Sequence, residues 1–159
     1  MGFAYSATGM RAWNDPASLL PGEVYFAAAP TLAELQAAFP GYGTATLAEQ
    51  AAVALSGTLS IALSGTLTLA ATAFPIDAVT QQKLGAVVTT LVATGSFPGG
   101  GASYPMKDTA GTWHSLTATQ YKAVAGAIAA YVAALVLIVD GNPTGATALP
   151  AASVALVVA

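Results

Sequence analysis

The chain has no cysteine, which excludes disulfide frameworks, thiolate metal sites and cysteine nucleophiles together. It is also short of charge. Asp, Glu, Lys and Arg make up 7% of its 159 residues, against roughly 25% in ordinary soluble domains. The four basic residues, Arg11, Lys83, Lys107 and Lys122, are scattered. Nucleic-acid binding needs a basic patch that displaces counterions from phosphate, and these four build none. A polybasic membrane-surface segment is excluded for the same reason.

Long apolar runs are scarce too. Ala123 to Val139 gives 17 uncharged residues between Lys122 and Asp140. A spanning helix needs about 20 strongly apolar residues, and the first half of this run is mostly alanine and glycine. The expectation is a buried or oligomer-facing helix with no membrane span. The opening segment lacks a basic stretch followed by an apolar core, so no signal peptide is expected. Gly2 follows Met1, but Thr8 stands too late for the usual myristoylation pattern.

What is present is apolar, at 55% of the chain, and rich in alanine. A chain of this length forms one domain, or a domain with a small N-terminal addition, and buries a core without staples. With so few charges, either much of the surface meets another protein, or Ser, Thr, Gly and Ala keep it wet.

Local signals give an α+β layout. Strands are expected at Phe3 to Ser6 and Glu23 to Ala27, with turns at Trp13 to Pro16 and Leu20 to Gly22. Thr31 with Glu34, and Thr46 with Glu49, form capping boxes. The first opens a helix to about Phe39; the second opens another turn or two. Pro40 to Thr44 is the expected boundary between a small α/β segment, 1–45, and an α+β domain, 46–159.

An octad then repeats: Ala54 to Ile61 is followed by Ala62 to Leu69, with six of eight positions identical. Read with period two, one face carries Leu55, Leu59, Ile61, Leu63, Leu67 and Leu69. The other carries Ser56, Thr58, Ser60, Ser64, Thr66 and Thr68. Such alternation predicts half-buried strand, broken into a hairpin or meander by the Ser-Gly pairs. Asp77 caps a helix over about 78–94, with Leu84, Val87, Val88 and Leu91 at helical spacing. Ser96 to Tyr104 is a glycine-rich loop. Short strands at Ser103 to Lys107 and Thr112 to Ser115 flank a turn at Asp108 to Gly111. Thr117 with Gln120 makes a third capping box, opening a helix over about 118–139. Asp140 to Pro143 stops it. Ser153 to Val158, apolar and β-branched, reads as a buried final strand. The fold expected is therefore small antiparallel sheets packed against two main helices.

No catalytic, cofactor-binding or metal-ligating set emerges. His114 is the single histidine; next to Trp113 at a strand end, it reads as a packed aromatic rather than a base. Asp77 and Asp108 are available to orient it, but a triad also needs a nucleophile in reach. Gly101 to Pro105 lacks the closing glycine of a nucleophile elbow. Gly99, Gly100 and Gly101 lack the Gly-Lys-Ser/Thr ending of a phosphate loop. The seven acids are dispersed, and an Asp-rich calcium loop is absent. The hydroxyl face of the octads admits a sharper idea, an ice- or glycan-binding array, although two copies fall short of a solenoid.

From about Thr72 onward the chain resembles a family of uncharacterised bacteriophage and prophage domains associated with tail-fibre and tail-fibre-assembly proteins. The residues that carry this are Phe74 to Asp77, Gln81 to Leu84, Gly95 to Gly99, Asp108 to His114, Leu116 with Thr117, and Tyr121 to Ala125 into Tyr131 to Leu135. They are packing, cap and turn residues without specific chemistry. The chain departs from many such relatives in lacking a charged C-terminal helix, which leans away from an assembly chaperone. The resemblance implies a non-enzymatic structural component of a phage virion, in tail, tail fibre or baseplate sooner than capsid decoration. Such a part is made in the bacterial host cytoplasm and forms an oligomer, packing on itself or on other virion proteins. The alternatives are a tail-fibre assembly factor, or a receptor module that binds host-surface glycan through the hydroxyl face and Trp13, Trp113 or exposed tyrosines.

Overall fold

The computed structural model describes residues 2–13, 19–65 and 68–158. They divide into two compact units, Met1–Ala45 and Thr46–Ala159, and the described elements make an α+β fold.

In the first unit, β1 (Gly2–Ser6) lies between β2 (Gly9–Trp13) and β3 (Val24–Phe26), antiparallel to both. Sequence reading found β1 and β3 but missed β2, where Gly9 and Arg11 interrupt the apolar alternation. Tyr5 meets Phe26 edge-on at 5.7 Å between ring centres. Arg11 Nε donates to Glu23 Oε1 at 2.6 Å, and its Nη2 donates to Oε2. That bidentate clasp ties β2 to the residue before β3. The turn at Leu20 to Gly22 is present, closed by Glu23 N donating to Leu20 O. The turn expected at Trp13 to Pro16 lies, beyond Trp13, outside the described residues. Helix α1 (Leu32–Ala38) opens on the Thr31–Glu34 capping box.

The second unit starts with α2 (Leu47–Ala54), capped by Thr46 and Glu49. Then β4 (Thr58–Gly65) and β5 (Leu69–Pro75) form an antiparallel hairpin, with Leu59 opposite Phe74. The octads are thus divided: Ala54 still belongs to α2, and the strand begins only at Thr58. Helix α3 (Ala78–Thr94) runs from the Asp77 cap to Gly95, which takes the left-handed conformation at φ 73°. A second hairpin, β6 (Ser103–Lys107) and β7 (Trp113–Thr117), leads into α4 (Ala118–Val139). Both main helices occupy the spans read from their caps.

The last strand, β8 (Ser153–Val158), corrects the expectation of purely antiparallel pairing. It runs parallel to β4, with Ile61 opposite Val154 and Leu63 opposite Leu156. The long helical path between β4 and β8 allows the chain to return in the same direction. Nor is β8 buried on both sides. It is an edge strand in the order β5-β4-β8; Val158 is buried, while Val157 is 87% exposed.

Helix α4 supplies the centre of the core. Tyr121, Val124, Ile128, Leu135 and Ile138 are buried with Leu59, Ile61, Leu63, Phe74 and Leu116. An 18-residue window of this 22-residue helix reaches a mean hydropathy of 2.2, and the helix is long and apolar enough by length and composition to cross a membrane. One face stays open, through Gly126, Ala129, Ala130, Ala133 and Leu137. Gln120 is the one buried polar side chain among the described residues. Its Oε1 accepts from Thr117 N at 2.9 Å, so the capping box satisfies it.

Candidate functional site

A concave feature of the second unit lies between α3 and β6, with a volume of about 670 Å³. Three local devices hold its walls in place.

The first fixes α3. Asp77 accepts from Thr80 N at 3.0 Å and from Thr80 Oγ1 at 2.8 Å. These bonds hold the Asp77 carboxyl below its usual range, as expected of a carboxylate serving a helix N-terminus. Gln81 Nε2 donates to Ile76 O at 2.7 Å, tying the first turn to the end of β5.

The second fixes the hairpin. Asp108 accepts from Thr112 N at 2.8 Å, and Gly111, at φ 87°, completes the turn. The Asp108 carboxylate also meets His114 Nε2 at 2.8 Å, and this bond is the largest cause of its lowered pKa. Phe74 meets the imidazole edge-on at 5.9 Å between ring centres. At the turn, Thr109 N and Oγ1 both donate to Ala73 O, at 2.9 and 3.1 Å. The β6–β7 turn is thereby pinned to the outer edge of β5.

The third is aromatic. Phe97 stacks on Tyr104 at 5.4 Å, and Tyr121 meets both rings edge-on at 5.6 and 5.8 Å. Burial, with Tyr104 next to it, pushes the Tyr121 hydroxyl up to about 12, so it remains a neutral phenol at any physiological pH.

Against these walls the cleft presents Leu84, Val87 and Met106, which are buried, and Lys83, Lys107 and Trp113, which are exposed. Trp113 is 64% exposed. Lys107 pairs with it across the hairpin, and its ammonium lies 5.6 Å from the indole centre. Neither Lys83 nor Lys107 forms an ion pair among the described residues.

His114 is the packed, hydrogen-bonded aromatic that its context in the sequence implied. Asp108 rather than Asp77 orients it, since Asp77 is committed to its helix. Among the described residues no hydroxyl is hydrogen-bonded to His114. Ser115 projects from the opposite face of β7, where its Oγ lies 2.7 Å from Ser103 Oγ. No group of three His, Asp or Glu side chains converges among the described residues. Gly99 and Gly100 both take positive φ in an exposed loop.

Part of the hydroxyl array lies among the described residues, with Thr68 exposed ahead of β5. Thr58, Ser60 and Ser64 share the outer face of β4, Ser56 precedes the strand, and Thr66 lies outside the described residues. The cleft was the feature missed. Lys107 and Trp113 oppose each other with residues 108–112 between them, whereas a second strand read from Thr112 sets Lys107 opposite Thr112. Lys83 joins them only through packing of α3. No family model, curated protein or solved structure matches the chain.

Proposed function

We propose that this chain is a non-enzymatic structural component of a bacteriophage particle, in the tail, tail fibre or baseplate, and that it acts by packing against copies of itself or neighbouring virion proteins. The phage side of this reading rests on the likeness of residues 72–159 to tail-associated domains.

The observation that carries the assembly side is the edge of β8. Natural sheets protect their edges with lysine, proline, bulges or a covering segment. The opposite edge of the same sheet follows that rule, since β5 ends at Pro75 and is covered at Ala73 by Thr109. Among the described residues the β8 edge has no lysine, proline or paired strand. The strand contains no charge, and Val157 is 87% exposed. The chain carries no charged residue after Asp140. The open alanine-rich face of α4, uncharged from Gly126 to Leu137 beyond Lys122, adds a second surface of the same kind. A low overall charge is consistent with burial of both in an assembly.

The test is mass spectrometry of gradient-purified particles from an induced bacterial culture that encodes the chain. Recovery at a constant ratio to the known particle proteins is the expected result. Absence from the particles, with the chain still bound to fibre protein in the lysate, would replace this reading with that of an assembly factor.

A further inference from the structure

The α3–β6 cleft has a composition that the assembly reading does not use. The chain carries a net charge of −3 and only four basic residues, yet two of them, Lys83 and Lys107, line this one cleft. The single carboxylate beside them, Asp108, is engaged by His114 Nε2 and Thr112 N. The cleft lining therefore carries two ammonium groups against one carboxylate, an excess of one positive charge. Beside it stands an indole that is 64% exposed, on a strand whose other large apolar side chain, Leu116, is buried. Its volume of about 670 Å³ falls in the roughly 300–1,000 Å³ range of small-molecule clefts.

We propose that this cleft binds a carboxylate-bearing carbohydrate, with a sugar ring stacked on the Trp113 indole and the carboxylate held by Lys83 and Lys107. An aromatic face takes the C–H surface of a pyranose, and paired ammonium groups take an anion through charge-assisted hydrogen bonds. A peptide added as a strand fits less well. The strand lining the cleft, β6, has Pro105 at its centre, which has no N–H to offer. This inference does not rest on the particle reading, and each can fail without the other.

The experiment is an NMR titration of the ¹⁵N-labelled full chain with sialyllactose, with trigalacturonate and with neutral lactose, following the Trp113 indole N–H as assigned with Trp113→Phe. Saturable shifts at Trp113 and along β6 and β7 are expected with at least one acidic sugar, and these should weaken as salt is raised. Lactose should be at least about tenfold weaker, the scale of one charge-assisted contact. Trp113→Ala should abolish the shifts, and the Lys83→Ala/Lys107→Ala pair should weaken binding about tenfold or more. These three side chains are exposed, so the variants should keep the wild-type amide spectrum elsewhere. Failure of both acidic sugars to bind, or binding unchanged in Trp113→Ala, overturns the proposal. So does a glutamate-rich peptide that shifts the same residues where the sugars do not.

Discussion

Gly65 closes the parallel β4–β8 pairing, and its substitution measures what that pairing is worth. It sits at φ +125° opposite Val158, and a Cβ there would overlap the Val158 carbonyl oxygen. Gly65→Ala must therefore place an L side chain in a region essentially reserved for glycine, at a cost of about 1–3 kcal/mol. Relief comes only by opening the last rung, which loses about one backbone hydrogen bond, roughly 1 kcal/mol. The expected loss is about 2–4 kcal/mol, a large share of the 5–15 kcal/mol that typically holds a domain together. With a urea slope of about 2 kcal/mol per molar, the unfolding midpoint of the second unit should fall by about 1–2 M at fixed protein concentration. Amide exchange at Val157 and Val158 should accelerate most. Gly126 is the internal control. It lies on the open face of α4, where an added Cβ meets nothing within 4 Å. Gly126→Ala should stabilise by about 0.5–1 kcal/mol through helix propensity and reduced unfolded-state entropy. An unchanged midpoint for Gly65→Ala, or the same sign for both variants, would refute the assignment of β8 to the β4 edge.

Two further outcomes follow from the caps and the single acid–guanidinium clasp. Thr117→Ala removes the hydroxyl that receives Gln120 N at 3.4 Å, while the Thr117 backbone N–H still donates to Gln120 Oε1. It should cost about 1 kcal/mol, read as a melting temperature lower by about 3–6 °C. Arg11 holds Glu23 down from 4.5 to about 2. A carboxylate whose pKa is depressed on folding contributes stability that is fully present above the unfolded value. Here it is lost as pH falls from about 4.5 towards about 2. Acidification across that window should loosen the β1–β2–β3 sheet, followed by amide NMR, and Glu23→Gln should remove that pH dependence.

The helices were legible because their ends are written in local chemistry. Asp77 and Gly95 bracket α3, and the Thr117–Gln120 box and Asp140 bracket α4. Each signal acts within four or five residues, which is the range over which sequence patterns speak. Strand partners are chosen over far longer separations. Nothing local in Ser153 to Val158 distinguishes a strand buried on both faces from an edge strand parallel to β4, since Val and Leu serve both. The octad repeat misled at its start for a related reason: the Thr46 capping box propagates helix through Ala54, overriding the alternation until Thr58. At the site, the Asp108–Gly111 turn and the packed role of His114 followed from residue types. The cleft did not, because Lys83 reaches it only through the docking of α3 beside β6.

The central claim is that the uncharged β8 edge is an assembly surface, and the most direct test is solution mass. Light scattering coupled to size-exclusion chromatography, in detergent-free buffer over a hundredfold range of concentration, should give a discrete oligomer or larger assembly for the wild-type chain. Val157→Lys places a cation on the open edge strand, as protected natural edges do, at a position 87% exposed and thus harmless to the core. It should shift the mass towards the monomer while leaving the far-ultraviolet circular dichroism unchanged. A wild-type chain that is monomeric throughout, or an assembly that Val157→Lys leaves intact, would contradict the account.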